Sequence, residues 1–271
     1  MTRKHRRVVL SLVIFFAAPR LAAPCSSLVF SNKGFPVFGT NSDNLFAPGQ
    51  QPRSSGAGPT AARGQQPGLF KPAPADVVRP AGYPSIGKWM LAPDMTIADW
   101  LGIVYERKKL REPINVVVID PLAQSADAAV LRFLRACGYA GFVSRTGHSG
   151  GYFGWLGDRL YPQIPRERYH AISDEPFEFH NNHGRFFGPY FSDGRYYFIG
   201  ALSREKSVPS IKPEHLFVSF NQARDRFARA LVEKAGFKLT TFLALGNALL
   251  DDPGIGTGDH DGVAVVLTAT K

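Results

Sequence analysis

Six consecutive residues, His180-Asn181-Asn182-His183-Gly184-Arg185, bring together two imidazoles, two amides, a guanidinium and a glycine. Neutral imidazoles and carboxylates are the ordinary ligands of divalent cations, and a cation held by such groups with one position open makes its water acidic near neutral pH. His180 and His183 lie three residues apart, and His215 and Asp259 stand at the edges of downstream strands. These four residues are the expected ligands if the strand edges converge on a divalent metal. His183, Arg185, His148 and Asp261 are the corresponding catalytic candidates for a hydrolase. Of these, His148 sits beside Ser149 in a run rich in glycine and aromatic residues from 147 to 155. Adjacency alone does not make Ser149 and His148 a catalytic pair, since such roles are set in space.

Two plainer readings use the same residues. Asn181, Asn182 and His183 can hydrogen-bond loop backbone while Arg185 pairs with Glu205 or Asp261. Alternatively, the domain binds a ligand without catalysis, through Tyr152, Phe153 and Trp155.

The elements that must position these groups follow from hydrophobic periodicity. The continuous apolar run from Ile114 to Ile119, closing on Asp120-Pro121, predicts a strand buried on both faces. An Asp at the carboxyl end of such a strand either faces a ligand crevice or forms the turn before the proline. A helix is expected from about Ser125, with Val130, Leu131, Leu134 and Cys137 on its apolar face and Gly138 at its end. Residues 141 to 143 begin the next strand. Further strands are expected at 196–202, 215–220, 237–245 and 263–269. A helix spans 221–234, with Ala223, Phe227, Ala230 and Leu231 facing inward. Upstream, Trp89 to Tyr105 supplies apolar mass, with Asp94 or Thr96 as a helix cap. The expected fold is α/β or α+β, a mixed sheet packed with helices in one globular domain over residues 88–271.

Residues 46–87 hold eight prolines and seven glycines among 42 positions. That composition buries too little apolar surface to offset chain entropy, so a disordered linker is expected there. The formal charge of +10 is concentrated outside the folded half. Residues 114–271 carry 17 basic and 16 acidic side chains, which argues against a nucleic-acid surface, since that needs clustered cations on a folded face. Arg3, Lys4, Arg6 and Arg7 followed by the apolar Val8 to Ala18 predict a signal peptide over residues 1–23. The expectation is a secreted or periplasmic protein with no membrane span after cleavage, acting on a small-molecule or envelope substrate. Cys25 and Cys137 give neither a disulfide framework nor a zinc pattern, and Cys137 falls on a helix face where a buried, inert thiol is expected.

Two segments resemble known families. Residues 24–45 place Cys25 ahead of a hairpin that ends in Gly39-Thr40-Asn41-Ser42-Asp43. This resembles the amino-terminal hairpin of the choloylglycine hydrolase and penicillin V acylase group of cysteine amidases. The resemblance implies Cys25 as nucleophile of a linear-amide hydrolase and Asp43 beside the freed α-amine, an amine basic enough to activate the thiol. Residues 114–271 contain, in order, Asn115-Val116-Val117-Val118, Asn182-His183-Gly184-Arg185, Gly200 to Glu205, His215, Ala223-Arg224-Asp225 and Asp261-Gly262. These resemble the carboxy-terminal domain of LssY-type proteins, which implies a domain type but no particular reaction.

Overall fold

The computed structural model describes residues 70–271 apart from 168 and 209–213. The expected signal peptide, the hairpin with Cys25 and Asp43, and most of the linker lie outside the described residues.

In chain order, a short 3-10 turn at Pro74–Asp76 leads into β1 (Val77–Val78) and β2 (Ile86–Gly87). Then come β3 (Asp99–Tyr105), β4 (Lys108–Arg111), β5 (Val116–Asp120), α1 (Ala126–Tyr139) and β6 (Val143–Arg145). β7 (Phe153–Leu156), β8 (Arg159–Ile164) and β9 (Ala171–Ser173) precede the two long strands β10 (Asn181–Ser192) and β11 (Arg195–Val208). The chain closes with β12 (Glu214–Ser219), α2 (Phe220–Lys234), β13 (Phe237–Ala244), β14 (Ile255–Gly256) and β15 (Val263–Ala269).

Most strands join one mixed sheet in the order β1-β2-β7-β8-β10-β11-β5-β15-β13, and β14, β4 and β3 form a smaller one. β5 is buried at all five positions. It lies between β11, antiparallel, and β15, parallel, as its unbroken apolar run requires. β11 is long enough to serve two neighbours on one edge, pairing with β5 through residues 196–200 and with β12 through residues 204–208.

Alternation along the strands sorts side chains between two cores. Phe186, Phe198, Leu202, Val116, Val118, Val265 and Leu267 meet the inner faces of α1 and α2. Phe187, Ile199, Ala201, Val117, Ile119, Ala264 and Val266 point the other way, where Ile86, Met90, Ala98 and Leu156 cover them. Both helices therefore pack on one face, and the opposite face is covered by strands and loops. Each helix starts on a serine whose hydroxyl accepts a backbone N–H: Ser125 from Ala128 and Ser219 from Gln222.

The expected mixed sheet with packed helices is what forms, and four details differ. Residues 70–87, expected in the disordered linker, form β1 and β2, and Ile86 is fully buried. Prolines mark the bounds of these two-residue strands, so composition counted over 42 residues hid them. Asp94 and Thr96 close a turn, with Thr96 N–H donating to the Asp94 carboxylate at 3.0 Å, and a strand rather than a helix follows. In α1 the buried face is Ala129, Phe133, Ala136 and Cys137, while Leu131 is 56% exposed. The largest side chain decides that face, because the Phe133 ring stacks on Phe198 at 5.0 Å and meets Phe186 edge-on at 4.7 Å. The helix also runs past Gly138 to Tyr139, with the left-handed turn supplied by Gly141. Asp120 is a turn former: its carboxylate accepts from the Leu122 and Ala123 amides and pairs with Arg132 at 2.8 Å.

Candidate functional site

Five residues of the histidine-rich hexapeptide, 181 to 185, open β10, and His180 precedes it. Period two puts Asn181, His183 and Arg185 on the face away from the helices. Opposite them on β11 stand Glu205, Ser203 and Ala201. Gly184 between them allows the close approach: an added Cβ would lie 2.6 Å from the Ala201 carbonyl oxygen and 2.6 Å from Leu202 Cγ.

Asn181 fixes the chemistry of its neighbours. Its amide nitrogen donates to Glu205 Oε1 at 2.6 Å and to the Phe179 carbonyl at 3.1 Å, so its oxygen must face His183. His183 Nδ1 lies 2.8 Å from that oxygen and is therefore the protonated nitrogen. The lone pair is left on Nε2, whose contact with Ser203 Oγ is long at 3.3 Å. An amide that fixes the imidazole tautomer in this way is the usual support of a metal-ligating histidine.

The loop from 147 to 151 delivers the remaining groups. Arg185 Nη2 donates to the Ser149 carbonyl at 2.8 Å and to Ser149 Oγ at 3.2 Å. The same hydroxyl accepts from Tyr152 at 2.9 Å, and the Tyr152 ring covers the guanidinium at 4.8 Å. Anchored in this way, the loop places the His148 ring 4.5 Å from that of His183. The His148, His183 and Glu205 ligand atoms lie within 4.8 Å of one another, and all three side chains are buried. A cavity of about 60 Å³ adjoins them, lined also by Trp100, Glu112, Ser149, Phe177 and Arg185. On the far side, His215 stacks on Phe177 at 3.8 Å and brings Nδ1 to 3.1 Å from Glu205 Oε1, off the line of a good hydrogen bond.

Burial sets the charge states. It holds His148 down at about 3, with Arg185 adding to the effect, and holds His183 well below the ordinary imidazole range. Both rings are neutral at pH 7 and so available as ligands. Burial raises Glu112 to about 7 against the opposing pull of Arg185, and it raises Glu205 as well. His148 Nε2, both nitrogens of His215 and Arg185 Nε are buried without a hydrogen-bond partner among the described residues. Unpaired buried groups of this kind are costly unless something binds them.

The structure brings together His183, Arg185, His148 and, at the rim, His215. It leaves out three other candidates, His180, Asp259 and Asp261. His180 is exposed, and its Nδ1 accepts from the Ser207 amide. Asp259 accepts from the Ser219 hydroxyl and the Phe220 amide, capping α2. Asp261 pairs with Arg224 at 2.7 Å, which keeps its carboxyl low against the opposing effect of burial. His260 hydrogen-bonds Asn247 at 2.8 Å. Tight turns concentrate polar residues for capping as readily as for chemistry, and here the turn supports α2. Of the four ligands expected from sequence, His183 lies in a cluster with His148 and Glu205, His215 stands beside Glu205, and His180 and Asp259 lie elsewhere. Sequence reading also missed Glu112. For Glu205 a signal existed, since continuing the alternation of β11 past Leu202 aligns it with Ser203, facing His183.

Comparison with known proteins finds no matching family model, curated protein or solved structure. No helix of the described residues is long and apolar enough to cross a membrane.

Proposed function

We propose that His148, His183 and Glu205 hold a divalent cation and that the domain is a hydrolase of a small envelope substrate. The convergence of three ligand atoms within 4.8 Å, next to a cavity, carries this reading. Two imidazoles and a carboxylate form a donor set suited to zinc with a position left open. Bound there, the cation supplies Lewis acidity and an acidified water. The protein's own groups do the rest. Asn181 holds the His183 tautomer, Glu112 accepts a proton near neutral pH, and Arg185 offers positive charge to an anionic oxygen. The basic and then apolar residues from 3 to 18 support export, and the likeness of residues 114–271 to LssY-type domains fits an envelope role.

The test is metal analysis of purified protein, followed by chelation and reloading. One bound ion per chain, its loss in His148→Ala and His183→Ala, and a fall in melting temperature on chelation are expected. No stoichiometric ion and an unchanged midpoint after both treatments would overturn the metal reading. Ester, amide and phosphate substrates then test turnover. A cavity of only about 60 Å³ favours a second reading, a metal-dependent binding module, which predicts a bound ion without turnover. Activity lost in Cys25→Ala and retained in His183→Ala would instead support the amidase reading with Cys25 as nucleophile and Asp43 beside its amine.

A further inference from the structure

Arg185 is 2% exposed, yet no carboxylate lies within 4.0 Å of it among the described residues. Its Nη2 is spent on Ser149, and its Nε–H has no acceptor. A guanidinium taken out of water without a counter-ion in contact is a costly arrangement, and it becomes favourable when an anion fills the fork. Ser149 adds a second donor. Its oxygen already accepts from Arg185 and Tyr152, which leaves its own O–H proton free. Both residues line the cavity beside His148, His183 and Glu205.

We infer that this cavity is an oxyanion pocket in which Arg185 and Ser149 take the phosphoryl group of a phosphate monoester. The number of donors selects this class over a carboxylate. A cation on His148, His183 and Glu205, the Arg185 Nε–H and the Ser149 O–H each call for an oxygen, and a phosphoryl group has three to offer where a carboxylate has two. Volume agrees, since about 60 Å³ admits a phosphoryl head and leaves an organic body outside, whereas pockets enclosing a whole ligand are several times larger. The Arg185 contact does not need the metal, but the choice of a phosphoryl group rests on the cation of the proposed function, as does turnover.

The experiment is calorimetric titration with inorganic phosphate, and separately with acetate, of chelated and zinc-loaded full-length protein. The Arg Nε–H resonances of the wild type are followed by NMR in parallel. Phosphate is expected to bind both forms, more tightly with zinc, and to bind the loaded form at least tenfold more tightly than acetate does. One Nε–H resonance should move downfield on saturation. Arg185→Gln should weaken binding by tenfold or more and Ser149→Ala by a few-fold, as expected for removing hydrogen bonds to a charged group. Should Arg185→Gln fail to fold, Ser149→Ala and the wild-type resonance still decide. Absence of phosphate binding to either form, no resonance shift, or affinity unchanged in Ser149→Ala and a folded Arg185→Gln overturns the pocket. Phosphate binding that is equal in both forms, with no zinc taken up, removes the metal reading and leaves the pocket standing.

Discussion

At the scale of single residues, Asn181 and Glu112 are the two positions where a small change is most informative. Asn181 touches no cavity, but it chooses which nitrogen of His183 carries the proton and holds Glu205 at 2.6 Å. Asn181→Leu should retain the fold and lower cation affinity by about ten- to a hundredfold, the usual cost of losing a group that orients a ligand, as read by competition with a chromogenic chelator. Glu112 predicts a pH signature in the metal-free protein. Its carboxyl is raised from 4.5 to about 7, so the native state favours its protonated form. The associated stability is present below about 4.5 and is lost as pH rises to about 7, up to roughly 3 kcal/mol in all. Glu112→Gln should therefore gain melting temperature relative to wild type between pH 5 and pH 8, by several degrees; equal slopes for the two proteins would contradict it. His148 runs the opposite way: its depressed value gives stability that is present above 6.5 and lost as pH falls toward about 3. Acid unfolding should thus begin below pH 6.5 and be delayed in His148→Phe if the ring is accommodated. His183, Arg185 and His148 were legible as chemistry from residue type alone. Glu205 was within reach through the alternation of β11, whereas Glu112, just past the end of β4, declares itself only once its facing direction is known.

At the scale of elements, periodicity identified β5, α2 and β15 because each has a buried face with no competing signal; β13 forms where expected although most of its side chains are exposed. The inner face of α2 comes out as expected, with Ala223, Phe227, Ala230 and Leu231 all buried. Phe227→Ala should cost about 3–5 kcal/mol in chemical denaturation, since the ring packs on Phe142 and Phe186 and its removal leaves a cavity. α1 shows where periodicity was insufficient. Of the expected stripe Val130, Leu131, Leu134 and Cys137, Cys137 is buried and Val130 and Leu134 pack partly against the core, while Leu131 turns outward because Ala129, Phe133 and Ala136 take the centre of the face over Phe186 and Phe198. Leu131→Ala should accordingly change stability by less than about 0.5 kcal/mol, and a larger loss would place the wrong stripe inward. The early strands escaped notice for another reason: β1 and β2 are two residues each, too short to show a period.

At the scale of the whole molecule, the placement of both helices on one face leaves the other face free for chemistry. The polar site is built from groups far apart in sequence: Glu112 just after β4, His148 on the loop before β7, His183 on β10, Glu205 on β11 and His215 on β12. No local motif can announce such a site, which is why the hexapeptide carried only part of it. Its geometry depends on β10 and β11 lying against each other, and Gly184 is one of the points where they meet most closely. Gly184→Ala should disrupt cation binding and lower the melting temperature together, because the clash is with strand backbone and cannot be relieved by turning a side chain.

Along β10, residues 182, 184 and 186 face the helices and residues 181, 183 and 185 face the site. Substitutions at the first set change packing and those at the second change chemistry, so this stretch can drift in either property while holding the other. Length is the dimension in which it cannot drift. Deleting or inserting one residue before the turn to β11 would put glycine or phenylalanine where arginine belongs and send the histidine into the oily layer, ending fold and function in one step.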